Sequence, residues 1–113
     1  MTRFFVSGTP VPKQSFRYAK GGGYTDPRVT AWQDSVALVA RPLFDAPLTG
    51  NLRVTLEFHL PDNRRRDLDN LNKGICDALN GIAFNDDSQV TTLILSKVID
   101  RANPGVWIEI EEV

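Results

Sequence analysis

Residues 51–60 read NLRVTLEFHL, and this stretch decides the fold class. Apolar side chains occupy every second position, and polar or charged ones fill the positions between them. A period of two is typical of a β-strand with one face on a core and the other toward solvent. We therefore predict a strand here, in a sheet whose second face is not covered by a layer of helices.

Two helices are predicted, one on each side of this strand in the chain. The first begins at Asp26-Pro27, a capping residue followed by a proline suited to the first helical position, and ends at Arg41-Pro42. The second fits from about Leu68 to Leu79. Apolar residues at helical spacing predict their buried stripes, namely Val29, Trp32, Val36, Val39, Ala40 and Leu43 in the first helix and Leu71, Ile75 and Leu79 in the second.

Three further strands complete the predicted order β-α-β-α-β-β. They cover 3–8, 90–99 and 106–113, and the last two are expected to form a hairpin through the turn residues of 103–105. The glycine-rich stretch 13–25 has no strand or helix period, and Gly21–Gly23 predicts a mobile loop. The order indicates an α+β fold, a two-layer sandwich with two helices on one face of a four-stranded mixed sheet. At 113 residues, we expect positions 1–113 to form one domain.

Composition is that of an ordinary globular protein and excludes several classes. Hydrophobic residues make up 42% and charged residues 24%, with a formal net charge of −1. A lone cysteine, Cys76, excludes an internal disulfide and a multi-cysteine zinc site, so we expect a reducing, cytoplasmic setting. No apolar run approaches the roughly 20 residues of a membrane helix, and the first residues, MTRFFVSG, lack the apolar core of a signal peptide.

Acidic residues between 64 and 87 suggest a metal site. Asp67 and Asp69 flank Leu68, and in extended backbone that spacing puts both carboxylates on one face. Asp86 and Asp87 return before the third strand. Converging carboxylates repel one another unless a cation lies between them, and magnesium, or manganese in its place, favours such oxygen ligands. A metal held there can orient a water for attack on a phosphodiester.

Each of these residues also has a simpler interpretation. A lone Asp-x-Asp is common in surface turns and helix caps. Lys73 lies four residues after Asp69, so it can hold a scissile phosphate or form a helix ion pair. Asp86 and Asp87 can be turn residues, and a basic run is usually a solvated face. The combination in one short stretch favours the metal site.

The stretch 64–81, RRRDLDNLNKGICDALNG, followed by NDDSQV at 85–90, resembles the RusA-type Holliday junction resolvases of phages and prophages. The resemblance extends more weakly through GTPVPKQSFR at 8–17. It implies a homodimer that nicks two strands of a four-way DNA junction symmetrically, in recombination and repair. It also implies that Asp67, Asp69 and Asp87 bind magnesium and that Lys73 is required for cleavage, with Asp86 the ambiguous neighbour of Asp87.

Basic residues in two places are expected to hold the DNA backbone, which they would position without reading sequence. These are Arg64, Arg65 and Arg66 before the acidic motif, and Lys13, Arg17 and Lys20 near the start. Phe16, Tyr18 and Tyr24 interleave with the second group and are expected to pack under their own loop. Of the remaining distinctive residues, His59 is interpreted as a surface residue, Cys76 as a buried apolar group, and Trp32 and Trp107 as core or dimer-interface residues.

Two other functions stay open from sequence. One is a metal-dependent phosphohydrolase acting on a small nucleotide, which would use the same carboxylates but has less use for two basic groups. The other is a branched-DNA-binding module without catalysis, in which the aspartates are structural. Steep loss of affinity with added salt would favour DNA over a small substrate, and metal-dependent cleavage would exclude the binding module.

Overall fold

A computed structural model describes residues 1–13 and 26–113 in full, together with the backbone of 17–19 and 22–24. Within these described residues, six strands and two α-helices follow one another. They are β1 (Thr2–Ser7), β2 (Arg17–Ala19), β3 (Gly22–Tyr24), α1 (Pro27–Ala40), β4 (Leu52–Leu60), α2 (Leu68–Leu79), β5 (Val90–Ile99) and β6 (Gly105–Glu112).

Four of the strands form the central sheet in the spatial order β1-β6-β4-β5. β6 is antiparallel to both of its neighbours, whereas β5 runs parallel to β4. Both helices pack on one face of this sheet, so the predicted α+β sandwich with a mixed sheet is confirmed. The predicted bounds of α2, Leu68 to Leu79, are also confirmed.

The predicted hairpin between the last two strands is wrong. β4 lies between β5 and β6, so the turn residues reverse the chain but do not join sheet neighbours. The backbone N–H of Asp100 donates to the carbonyl of Leu60 at 2.8 Å, and this bond leads the chain across the end of β4. Gly105 is the first residue of β6, and a Cβ there would collide with the Phe5 ring and the Val6 carbonyl. Its glycine therefore permits close approach of β1.

The glycine-rich stretch also differs from the prediction. β2 and β3 pair as a two-stranded antiparallel sheet, with Arg17 opposite Tyr24 and Ala19 opposite Gly22. Alternation cannot reveal strands of only three residues, because the pattern has no room to repeat. The side chains of Phe16, Tyr18 and Tyr24, and part of the loop predicted at Gly21–Gly23, lie outside the described residues.

The core lies between the helices and the inner face of the sheet. Every second side chain of β4, from Leu52 to Leu60, is buried there. The stripe of α2 is confirmed, with Cys76 buried beside it, and from α1 the buried side chains are Val29, Trp32, Val36 and Ala40. Leu43, predicted in the same stripe, is exposed because α1 ends at Ala40 and a short 3₁₀ turn carries the chain away. No helix in the described part of the chain is long and apolar enough to cross a membrane.

His59 lies on the opposite face of the sheet and is less exposed than predicted. Its side chain is only 17% exposed, with Nδ1 3.1 Å from Asp100 Oδ2 and Nε2 2.7 Å from Glu57 Oε1. Partial burial lowers the pKa of His59, but the hydrogen bonds with Asp100 and Glu57 raise it more, so the pKa lies above its ordinary value. On the same face, Trp107 packs under the Arg3 guanidinium at 3.9 Å.

His59→Gln is expected to remove a pH-dependent part of the stability. Because the folded-state pKa is raised above the unfolded value of about 6.5, the charged imidazole stabilises the fold fully below that pH. This stabilisation is lost as the pH rises through the folded-state pKa. Urea unfolding at several pH values should show that the free energy of unfolding of wild type exceeds that of the variant by most in mild acid. A difference independent of pH from about 5.5 to 8.5 would mean that His59 is not protonated between its carboxylates.

Candidate active site

An open pocket lies where the loop after β4 enters α2. Its lining consists of Asp67, Leu68, Asp69, Asn70 and Lys97, and its volume is about 380 Å³. The first four residues come from the start of α2, and Lys97 comes from the distal half of β5. Because β5 is parallel to β4, with Lys97 beside Phe58, it brings a lysine to the end of the sheet where the loop leaves β4.

Asp67 is the N-cap residue of α2, but its carboxylate does not cap the helix. The backbone is extended (φ −77°, ψ 132°), and the carbonyl accepts from the N–H of Leu71 at 3.0 Å. The side chain is 54% exposed, and the one hydrogen bond that it accepts from the described residues is a long one, 3.4 Å from Arg65 Nε to Oδ1. A carboxylate that leaves the nearby helical N–H groups unbound is free to bind a ligand in the pocket.

Asp69 and Lys73 are both exposed on α2. Extended backbone was predicted to bring the carboxylates of Asp67 and Asp69 to one face. Only Asp67 is extended, whereas Asp69 lies in the first turn of α2, and both carboxylates line the pocket. Within the part of the chain that the structure describes, no hydrogen bond or ion pair involves the side chain of Asp69 or Lys73. The alternative of an Asp69–Lys73 helix ion pair is therefore not realised, and both groups remain available to a substrate.

Asp86 and Asp87 do not line this pocket. They precede β5 at the end opposite to Lys97, and the eight residues from Val90 to Lys97 span roughly 23 Å of extended strand. Asp87 instead lies close enough to Cys76 for its charge to contribute to raising the thiol pKa to about 11, after the larger effect of burial. Among the described residues, no three acidic, histidine or cysteine side chains converge as a metal site.

The two aspartates of this pair differ in their surroundings. Asp86 caps the 3₁₀ turn Asp87–Gln89, accepting from the N–H of Ser88, while the Gln89 side chain accepts from the N–H of Asp86 in return. Hydrogen bonds from Ser88 lower the pKa of Asp86. Asp87 is exposed and makes no such cap. Asp87 is therefore the freer of the two carboxylates.

The three arginines of the loop are not equivalent. The side chains of Arg64 and Arg65 are 85% and 90% exposed, whereas that of Arg66 is 10% exposed. Arg66 Nη1 donates to Asp62 Oδ1 at 2.8 Å. This hydrogen bond, with one from the backbone of Arg64, lowers the pKa of Asp62. Arg65 lies next to the pocket residue Asp67, with 3.4 Å between Nε and Oδ1, and Arg64 Nε lies 3.9 Å from Asp62 Oδ2. Arg66 instead braces its own loop.

The N-terminal basic group is only partly described. Lys13 Nζ forms a 2.6 Å ion pair with Asp77 Oδ2, and its backbone N–H donates to the carbonyl of Asn70 at 2.9 Å. Lys13 therefore ties the N-terminal segment to α2. Lys20 and the side chain of Arg17 lie outside the described residues.

The chemistry of the pocket's donors suits a hard divalent cation. Asp67, Asp69 and Asn70 offer only oxygen ligands, with no histidine or sulfur among the lining residues. A single chain supplies two carboxylates at the pocket, a set that leaves room for water and a phosphate oxygen. Sequence reasoning did not identify Lys97 or Asn70. No local pattern marks Lys97, because its place beside Asp67 depends on the parallel pairing of β4 with β5.

Comparison with known proteins identifies the family. Residues 7–111 match the family model described as endodeoxyribonuclease RusA. The chain is 36% identical over 83 residues to the crossover junction endodeoxyribonucleases RusA of Escherichia coli K12 and of Enterobacteria phage 82. It is 35% identical over the same length to that of Shigella sonnei. Each match covers 72% of this chain and 69% of the relative. The resemblance inferred from the acidic motif is thus confirmed, and the chain belongs to the RusA family of endodeoxyribonucleases.

Proposed function

We propose that this protein is a crossover junction endodeoxyribonuclease that resolves four-way DNA junctions by metal-dependent hydrolysis of phosphodiester bonds. The observation that carries the proposal is the open pocket lined by the exposed carboxylates of Asp67 and Asp69, next to the exposed arginines Arg64 and Arg65 of the preceding loop. Carboxylates for a cation and arginines for flanking phosphates form an arrangement suited to a nucleic-acid backbone. The family membership and the names of the relatives support the same reaction.

Magnesium is the proposed ion, with manganese able to replace it, because the pocket offers only oxygen ligands. Asp67 and Asp69 would hold it from this chain. A bound magnesium ion supplies orientation of the attacking water and neutralises charge that develops on the phosphate. We propose that Lys73, one helical turn after Asp69 and without a partner in the described residues, donates to a phosphate oxygen and stabilises that charge.

A homodimer would complete the ligand set that one chain leaves incomplete. Asp87 does not line the pocket of its own chain, and it precedes the end of β5 opposite to Lys97. We propose that the partner subunit's Asp87 fills this place, and that Asp86 remains a cap. Two identical sites related by a two-fold axis would then nick opposing strands of a symmetric junction.

β5 provides the surface for such a dimer. It forms one edge of the central sheet, and its apolar side chains Leu93, Ile94, Val98 and Ile99 are exposed. A long apolar edge strand is a template for pairing with another chain. If two β5 strands meet antiparallel about a two-fold axis near their midpoints, the start of one lies beside the end of the other. The partner's Asp87 would then lie toward Lys97 and Asp67.

The arginines of the loop should separate into two functional groups when junction binding is measured against salt. Arg64→Gln or Arg65→Gln is expected to reduce the slope of log affinity against log salt by about 1, because each loses one phosphate contact. Arg66→Gln is expected to lower the melting temperature through loss of its contact with Asp62. An Arg66 variant with a reduced salt slope and an unchanged melting temperature would contradict this division.

The proposed function is tested by comparing a synthetic four-way junction with linear duplex of the same sequence, in magnesium and in EDTA. Paired symmetric nicks in the junction alone, lost in EDTA, are expected. Tight binding with no cleavage across several junction sequences would favour a non-catalytic binding module. Absence of junction binding at any salt would exclude the DNA substrate and favour hydrolysis of a small nucleotide.

A further inference from the structure

We infer that Lys97 is a positioning residue of the metal site, which fixes the loop residue that precedes Asp67. Lys97 Nζ donates to the backbone carbonyl of Arg66 at 2.7 Å. This inference rests on the proposed function, because it assigns Lys97 a role in holding one of the proposed ligands. The inferred role of Lys97 is to position Asp67 and includes no contact with the substrate.

Arg66 is held on two sides. Its guanidinium donates to Asp62 within the loop, and its carbonyl accepts from Lys97 of β5. Asp62 Oδ1 also accepts from the N–H of Arg64 at 3.0 Å, so the same carboxylate closes the loop on itself. Arg66 is therefore fixed to its own loop by the side chain and to the sheet by the backbone.

The position of Asp67 depends on this arrangement. Within the described part of the chain, its carboxylate makes one long hydrogen bond and does not cap the helix, so few contacts of its own hold the side chain in place. The peptide bond between Arg66 and Asp67 is rigid, and fixing the Arg66 carbonyl therefore limits the orientation of the next residue. Groups that orient metal ligands in this indirect way commonly change metal affinity by about 10–100-fold when they are removed.

The sign of the effect separates positioning from electrostatics. Lys97 lines the pocket together with Asp67 and Asp69, so its ammonium repels a divalent cation. Removal of the charge alone would strengthen metal binding. Removal of a positioning contact would weaken it.

The test measures Mn²⁺ binding to the metal-free protein by electron paramagnetic resonance, without DNA. Lys97→Met, which keeps the length but loses the donor, is expected to weaken Mn²⁺ binding about tenfold. Lys97→Arg, which keeps a donor and the charge, is expected to restore most of the affinity. Arg101→Met is the matched control, because Arg101 is exposed on the segment after β5 and has no contact among the described residues. Unchanged or tighter binding by Lys97→Met would overturn the inference.

A second readout requires no metal. Amide hydrogen exchange of segment 61–68 should be faster in Lys97→Met than in wild type or Arg101→Met, because the Arg66 carbonyl is released. Asp62→Asn should also accelerate exchange of this segment. Because both side chains act on Arg66, the increase in exchange rate in the double variant should be smaller than the product of the two single increases. Equal exchange in Lys97→Met and wild type would overturn the inference.

The same Mn²⁺ titration distinguishes failure of the proposed metal site from failure of the role inferred for Lys97. Wild type must bind Mn²⁺ in a manner that Asp69→Asn abolishes. If it does not, the proposed metal site is wrong, and the exchange measurement alone decides whether Lys97 fixes the loop. If it does, and Lys97→Met binds Mn²⁺ as wild type does, the metal site stands and the positioning role of Lys97 is rejected.

Discussion

Asp69→Asn is expected to lower the rate of junction cleavage by at least about a thousandfold while leaving the fold and junction binding intact. The substitution keeps the size of the side chain and removes one of the two carboxylate charges that this chain presents to the pocket. A metal in such a site supplies several kcal/mol of charge stabilisation in the transition state, and loss of about 4 kcal/mol corresponds to roughly a thousandfold in rate. Junction binding should persist, since the exposed arginines are unchanged.

The matched control for this prediction is Asp34→Asn. Asp34 lies exposed on α1, makes no contact among the described residues, and loses the same charge. Single-turnover cleavage, junction binding and thermal unfolding should be measured for both variants. If Asp69→Asn cleaves within tenfold of wild type in saturating magnesium, Asp69 is not a metal ligand. If Asp34→Asn loses cleavage as well, the effect is one of overall charge.

Local patterns predicted most of the fold, because a period of two or of 3.6 residues depends only on neighbouring positions. β4 and α2 are clear cases, since each has one uninterrupted apolar stripe. Choice of sheet neighbour is not local. The turn residues before Gly105 indicate a reversal of the chain, but β6 pairs with β1 on one side and with β4 on the other, and both partners are distant in sequence. The hairpin prediction failed for that reason.

In the candidate site, too, the features that depend on neighbouring residues were predictable, and those that depend on distant segments were not. Asp67 and Asp69 are close in sequence, so a short motif brings them together whichever backbone conformation they adopt. Whether Asp87 joins them depends on the length of α2 and the direction of β5, and within one chain Asp87 is not among the lining residues. The burial of Arg66 and the approach of Lys97 likewise depend on contacts between separate segments. Charge patterns along the sequence carry no signal for either.

Mixing two inactive variants is expected to restore cleavage if the site is shared between subunits. Asp69→Asn lacks a ligand in the pocket, and Asp87→Asn lacks the ligand proposed to reach the partner. In a mixed dimer, one site receives both defects and the other receives none. Co-expressed subunits that pair at random should regain roughly a quarter of wild-type cleavage, because half of the dimers are mixed and each has one intact site of two.

The form of the restored activity is as informative as its amount. A mixed dimer with one intact site should nick one strand of a junction without the paired second nick, so nicked junctions should accumulate in place of resolved duplexes. Asp86→Asn mixed with Asp69→Asn is the matched control, since Asp86 caps a turn and its own homodimer should retain activity. No recovery in the Asp69→Asn and Asp87→Asn mixture, with mixed dimers verified by two affinity tags, would contradict the shared site. Asp87 would then have to act within its own chain, in which it does not line the pocket.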